Sequence, residues 1–230
     1  SRNRFTMDEE LSRAVIKTFV DLYKQKLIYK DTKLVNWDTK LETAISDLEV
    51  EQREVQSNLY YIKYKIVNED NYLTIATTRP ETMLGDTAVA VNPNDTRYKS
   101  LVGKKIIVPI INKEVKIISD DYVSVEQGTG ALKVTPAHDF NDFEIGKRHK
   151  LDFISIFEKD GKINKNAPSK FFGLDRFEAR SLIVTLLKEK SLLDKIENIK
   201  NVVPYGDRSN SIIEPLLTEQ WFVNAKFLAK

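Results

Sequence analysis

A mixed α/β fold, mainly β, with its sheet closed or nearly closed into a barrel and a few helices around it, is predicted by three observations. Strand-like runs recur at irregular spacing through the middle of the chain, helical periodicity is confined to a few stretches, and no internal repeat or low-complexity tract is present. The 230 residues suffice for one substantial core with structured flanks.

Taken in order, Thr6-Met7-Asp8-Glu9 reads as a capping box. Leu11, Ala14, Val15, Phe19, Leu22 and Tyr23 follow at helical spacing, which predicts a helix over 7–28. Residues 33–38 and 46–50 read as short extended pieces around a polar turn. The alternation from Leu59 to Ile66 begins a stronger strand, and the main domain is expected to start near residue 52. Further strands are expected at 72–76, 87–91, 105–109, 115–118 and 131–135, the third and fourth of these forming a hairpin across Asn112-Lys113. Charged residues around Phe140, Phe143 and Ile145 predict a helix over 139–150. A second hairpin is expected to turn at Asp160-Gly161, and a helix to begin near Asp175 with Ala179, Leu182, Ile183 and Leu186 as its apolar stripe. From about Val203 the chain changes character.

Composition excludes several function classes. There is no cysteine, so disulfides and thiolate metal sites are ruled out, and two histidines cannot build a multi-histidine zinc centre. Lys plus Arg number 36 against 34 Asp plus Glu, so any nucleic-acid contact must come from a local patch rather than from net charge. The lysines at 104, 105, 113 and 116 read first as a solvated face of the first hairpin and second as phosphate contacts. No apolar run approaches the roughly 20 residues of a membrane-spanning helix, and Ser1-Arg2-Asn3-Arg4-Phe5 lacks the features of a secretory signal. A soluble protein without a membrane partner is expected. Phosphate loops of the Gly-x-x-x-x-Gly-Lys type, dinucleotide fingerprints and Gly-x-Ser-x-Gly nucleophile elbows are all missing.

Three segments concentrate hydroxyl, acidic and glycine residues at strand ends, where a rigid scaffold commonly carries function: Thr77 to Thr82, Gly128-Thr129-Gly130, and Thr135 to Asp142. Thr77 and Thr78 are either ordinary strand residues or neutral donors and acceptors for a polar ligand, with Arg79 reaching a phosphate or ribose. The glycines serve either a turn or close backbone approach to a ligand. Asp139 and Asp142 fall on one face at a helix start, suiting the macrodipole or, in a cleft, an ammonium, a hydroxyl or an attacking water. His138 is read first as a structural residue and second as a base.

Asn36-Trp37-Asp38, Ser46 to Glu51, Ala76 to Val89, Thr135 to His149, Gly173 to Arg180 and Glu214 to Val223, in this order, resemble valyl-tRNA synthetases over nearly the whole chain. Thr78-Arg79-Pro80-Glu81-Thr82 favours the valyl over the leucyl branch (Thr-Arg-Pro-Asp-Thr) and the isoleucyl branch (Thr-Thr-Pro-Trp-Thr). The resemblance implies the inserted editing domain shared by those three families, a barrel-like β structure joined to the catalytic body by two β-ribbon strands. Residues 52–206 would be that domain, residues 1–51 a flanking helix and hinge strand, and residues 207–230 the return hinge. Neither ATP-site signature of the family, the His-Ile-Gly-His-like or the Lys-Met-Ser-Lys-Ser motif, has a counterpart, so ATP and magnesium are expected only for the full-length parent and no cofactor for this chain.

On that resemblance the activity is deacylation of threonyl-tRNA(Val). The partners would be the tRNA(Val) 3′ acceptor end, threonine as the noncognate acyl group and the remainder of the synthetase, in a monomeric cytoplasmic protein. Asp142 and Asp139 would be the central pair. Thr78, Arg79, Thr82, Lys133 and Thr135 match pocket positions of the family, with Thr77, Gly128, Thr129, Gly130 and His138 beside them. Gln127 stands where many relatives carry an aromatic. The alternatives are an isoleucyl- or leucyl-type editor, and a module that binds the acceptor end without turnover.

Overall fold

Along the chain run α1 (Glu9–Lys24), β1 (Ile28–Asp38), β2 (Thr43–Ala44), β3 (Val50–Ile66), β4 (Tyr72–Thr77), β5 (Ala88–Val91), β6 (Lys105–Val108), β7 (Lys113–Ser119) and β8 (Ala131–Val134). Then follow α2 (Phe140–His149), α3 (Arg176–Glu189), β9 (Leu193–Gly206), β10 (Glu214–Val223) and α4 (Ala225–Leu228). The computed structural model describes residues 5–229. Residues 1–4, which carry most of the reading against a secretory signal, and residue 230 lie outside the described residues. Among the described residues no helix is long and apolar enough to cross a membrane.

Two compact units result: residues up to Lys33 together with those from Thr218 onward, and Leu34–Leu217. In the first, α1 is capped by Asp8, whose carboxylate accepts from the Leu11 N–H at 2.8 Å, rather than by Thr6. It is also shorter than the periodicity predicts, because Leu27 and Ile28 are buried at the start of β1. Edge-on contacts of Phe19 and Tyr23 with Trp221, at 5.2 and 5.8 Å, cover part of its apolar face.

The second unit is wider than the 52–206 span expected from the resemblance. Trp37 is buried and donates from Nε1 to the Lys159 carbonyl at 2.8 Å, and Arg176 reaches Thr39 Oγ1 at 3.2 Å and the Ile212 carbonyl at 3.1 Å. These bonds tie both flanks into the same core. Its sheet has seven strands in the order β4-β3-β6-β7-β5-β8, with β9 also paired to β3. All pairings are antiparallel except β5 with β7. β3 changes partners along its length: residues 50–62 pair with β9 as a ribbon, residues 60–65 with β4, and Lys65 and Ile66 with β6, with a register shift at Tyr61/Ile62. The sheet therefore curls, and β8 comes back beside β4 to form a half-barrel. Ile62, Tyr64, Ile75, Ile106 and Ile117 fill its concave side together with Ala179, Ile183 and Leu187 of α3.

Three local expectations differ from what is observed. Residues 47–49 form a 3-10 turn closed by a Ser46/Glu49 capping box rather than a strand. The Asp160-Gly161 turn exists, but its flanks form only the single bridge Phe157↔Ile163, because Asn164 Nδ2 takes the Ser155 and Phe157 carbonyls that a ladder would need. β9 has no counterpart in the sequence reading. Of the α3 stripe, Leu182 and Leu186 are only partly buried, and Leu187 takes the core position. The β6–β7 hairpin forms as expected, with Ile110 and Asn112 at positive φ in its turn.

Candidate functional site

β4 ends at Thr77, and Pro80, which has no N–H to continue a ladder, opens a buried 3-10 turn over Pro80–Gly85. β8 ends at Val134, and residues 135–138 turn into α2, capped by Asp139, whose Oδ1 accepts from the N–H groups of Asn141 (2.8 Å) and Asp142 (3.1 Å). Because β4 and β8 lie side by side, these two exits meet, and the loop leading into β8 closes over them. The result is a cavity of about 700 Å³, with Leu59 of β3 and Ile199, Lys200 and Asn201 of β9 forming a further wall.

Among the sequence-predicted residues, Thr77, Thr78, Arg79, Thr82, Gln127, Gly128, Thr129, Lys133, Thr135, His138, Asp139 and Asp142 all line this cavity. Gly130 does not. Its φ of +78° and the proximity of the Arg97 and Asp95 side chains show that it serves backbone packing, where a Cβ has no room.

Asp142 lies on the buried floor, its Oδ2 accepting from the Thr135 N–H at 2.8 Å. Burial, then the neighbouring Asp139 charge, push its carboxyl up to about 7, against the opposing pull of Lys133 and the Thr135 amide. At neutral pH the group is thus near half-protonation. Asp139, three residues earlier, is exposed. Behind them lies a buried polar cluster: Asp86 accepts from Tyr64 Oη (2.8 Å), Thr135 Oγ1 (2.6 Å) and Lys133 Nζ (3.2 Å), and Lys133 also donates to Thr135 Oγ1 at 2.5 Å. Burial raises the Asp86 carboxyl, and its three donors only partly offset that. Asp86 and Tyr64 escaped the sequence reading; a carboxylate two residues before the apolar run Ala88–Val91 was the one available signal.

Three candidates take different roles from those expected. Arg79 is ion-paired to Glu214, lies 3.4 Å from Glu81 Oε1 and donates to the His138 carbonyl at 3.1 Å, so its charge is compensated within the protein rather than aimed at a phosphate. His138 is 1% exposed, and its Nε2 accepts from the Ile156 N–H at 2.8 Å, while burial, followed by the Arg79 and Lys133 charges, holds the ring far below its ordinary pKa. It is a neutral structural residue. The Thr82 hydroxyl donates to the Arg79 carbonyl at 3.0 Å and the Thr77 hydroxyl accepts from the Arg79 N–H at 3.1 Å, so both shape the turn. By contrast, the Thr78 hydroxyl and the side chains of Tyr122, Ser124, Gln127 and Asn141 line the cavity without a hydrogen bond to other groups among the described residues. Tyr122 and Ser124 gave no sequence signal, and Asn141 lay within the Thr135 to Asp142 segment without being singled out. The lysines of the first hairpin are largely paired, Lys104 with Glu69 and Lys105 with Glu114.

α2 approaches the Thr135–His138 turn through Gly146, where a Cβ would stand 2.8 Å from both Cβ and Cγ of Pro136. Gly146→Ala should therefore push the helix off the turn and cost about 1–3 kcal/mol. Urea unfolding checks this, and an unchanged midpoint would show that the approach is looser than described.

Carboxylates, hydroxyls and an amide around one cavity suit a small polar ligand bearing an ammonium or hydroxyl, and can orient water without a covalent nucleophile. Residues 1–230 match the family model described as tRNA synthetases class I (I, L, M and V), and the chain belongs to that family. Within that class it is similar to valine-tRNA ligases, as the Glu81-containing motif led one to expect. It is 66% identical over 229 residues to the one from Pelagibacter ubique (strain HTCC1062), covering 100% of this chain and 26% of that protein. It is 55% identical over 230 residues to that of Legionella pneumophila (strain Lens), covering 100% and 25%. The chain thus spans about a quarter of the length of these relatives. Among solved structures it is similar to a chain of the ternary complex of Agrobacterium radiobacter K84 agnB2 LeuRS-tRNA-LeuAMS, with TM-score 0.48, 18% identity, and coverage of 86% of this chain and 33% of that one.

Proposed function

We propose that this chain is the editing portion of a valine-tRNA ligase, a hydrolase that cleaves the ester joining threonine to the 3′ acceptor end of tRNA(Val). The observation that carries this reading is the convergence of three separate segments on one cavity with Asp142, its carboxyl near 7, on the floor. A pocket shaped for valine rejects the isostere threonine by only about a hundredfold, so a second site with a polar partner for the extra hydroxyl is needed. Asp139 and Asp142 take the α-ammonium and the threonine hydroxyl between them, while the Thr78 hydroxyl and Gln127 amide, which have no hydrogen-bond partner among the described residues, contact the acyl and nucleoside parts. An ordered water adds to the ester carbonyl, the acyl C–O bond breaks, and the ribose oxygen leaves with a proton. ATP, magnesium and the rest of the tRNA grip belong to the cytoplasmic parent enzyme, which acts as a monomer.

Deacylation of threonyl-tRNA(Val) and valyl-tRNA(Val) by this chain, and by the full-length ligase, tests the proposal. Selective release of threonine that disappears with Asp142→Ala is expected. Retained acceptor-end binding with no turnover in either protein would identify a binding module instead. If ionised Asp142 is the working form, kcat/KM rises with pH to a plateau above about 7. Asp139→Asn removes a charge that raises Asp142, so the rise should move to lower pH. A profile flat from pH 6 to 8 would contradict the assignment.

A further inference from the structure

The loop between β7 and β8, residues 120–130, has no regular secondary structure and supplies Tyr122, Ser124 and Gln127 to the cavity wall. Such a loop is ordinarily mobile. Here its backbone is held from outside the site. Asn92 Nδ2 donates to the Val123 carbonyl at 2.7 Å, Arg97 Nη2 to the Val125 carbonyl at 2.8 Å, and Tyr98 Oη to the Thr129 carbonyl at 2.7 Å. At its start, Asp120 accepts from the Tyr122 N–H at 3.0 Å and is itself gripped by Arg148 and His149 of α2.

Arg97 supplies one of these anchors and is itself fixed from below. Buried Asp95 holds its guanidinium, with Nε 2.9 Å from Oδ1 and Nη2 2.6 Å from Oδ2, and also orders the Arg97 N–H at 3.0 Å. Gly130, at φ +78°, folds the return leg of the loop around this pair. Val123 plugs the loop into a small apolar cluster with Ala88, Ala90, Val134 and Ile145. The loop therefore presents three hydrogen-bonding side chains that have no hydrogen-bond partner among the described residues, on a backbone whose carbonyls are pinned by residues that do not themselves line the cavity. Pinning a ligand-facing loop in advance lowers the ordering cost of binding.

We propose that Arg97, assisted by Tyr98, is a positioning residue of this site, which holds the 120–130 loop so that Tyr122, Ser124 and Gln127 form a preorganised binding wall for the substrate. This rests on the editing reading. It predicts a loss in affinity rather than in the chemical step, because neither Arg97 nor Tyr98 reaches the carboxylates.

The test uses the whole chain and a non-hydrolysable threonyl-adenosine amide as probe, with calorimetric Kd, alongside KM and kcat for threonyl-tRNA(Val) deacylation. Arg97→Ala should weaken probe binding and raise KM by about tenfold with kcat within about twofold. Tyr98→Phe, which removes one hydroxyl and leaves the fold intact, should do the same to a smaller extent. In a Tyr122→Ala, Gln127→Ala background the Arg97→Ala loss should largely vanish, since there is little left to position. Lowered thermal stability with unchanged Kd and KM for both variants would overturn the proposal, as would full additivity in the triple variant. Failure of the wild-type chain to bind the probe at all would instead sink the editing reading.

Discussion

Asp142→Asn is expected to make the protein more stable at pH 8 while removing threonyl-ester hydrolysis. The folded-state carboxyl stands at about 7 against an ordinary 3.8, raised first by burial and then by Asp139. The folded state therefore binds this proton more tightly than the unfolded state does, and stability falls as pH rises between about 4 and 7, then levels off. Above 7 the penalty is on the order of a few kcal/mol. Asparagine imitates the neutral acid, and its carbonyl can still accept from the Thr135 N–H, so the variant keeps the fold and escapes the penalty. Urea unfolding of both proteins at pH 5 and pH 8 should show a gap that opens at the higher pH. Parallel behaviour at both would mean that Asp142 titrates normally. A stabilising substitution that removes activity is what a functional carboxylate on a buried floor should produce.

Glu81→Ala should have the largest destabilising effect of any single change near the site, about 3–5 kcal/mol. Glu81 is fully buried and accepts from Arg180 twice, Nε to Oε2 and Nη2 to Oε1, each at 2.7 Å, with Arg79 Nε 3.4 Å away. Burial alone would raise its carboxyl, but the hydrogen bonds and charge of Arg180, followed by Arg79, bring it below its ordinary value. Glu214, also buried, pairs with Arg79 and lies 3.1 Å from Arg176 Nε. Truncating Glu81 leaves Arg180 without a carboxylate partner and Arg79 with Glu214 alone. Thermal unfolding checks the magnitude, and adding Arg180→Ala to Glu81→Ala should recover part of the loss. No recovery would mean that the cost arises from the lost packing of the Pro80–Gly85 turn rather than from an uncompensated cation.

The residue that marks the valyl branch in the sequence is thus a structural anchor: Glu81 fastens the Pro80–Gly85 turn to α3, and that turn carries Thr82 and follows Thr78 into the cavity. Motif reading located the segment without distinguishing which of its side chains face a ligand. The same holds for Arg79 and His138, both singled out for their chemistry and both engaged with protein groups.

Much of the fold was legible because its causes are local. Short apolar and β-branched runs set β4, β5, β7 and β8, the Asn112-Lys113 turn set the β6–β7 hairpin, and the Asp139 and Asp175 caps set where α2 and α3 begin. β9 was not legible: along Asn198 to Val203 the adjacent Lys200 and Asn201 break any alternation of its apolar residues, the ribbon has little core, and its partner β3 lies far away in sequence. The cavity was legible as a set of segments, since hydroxyl, glycine and acidic residues gather at the strand ends, where a rigid scaffold commonly carries function.

By itself, then, the sequence determined the three longer helices and most strands up to β8, the family and the segments that would meet, because periodicity, capping and motif order are properties of neighbouring residues. The tertiary structure alone decided that β3 exchanges β9 for β4 midway, that burial pushes the Asp142 carboxyl up to about 7 above a buried Asp86 cluster, and that Arg79 is ion-paired with Glu214. Those outcomes depend on desolvation and through-space charge between residues that only the folded chain brings together.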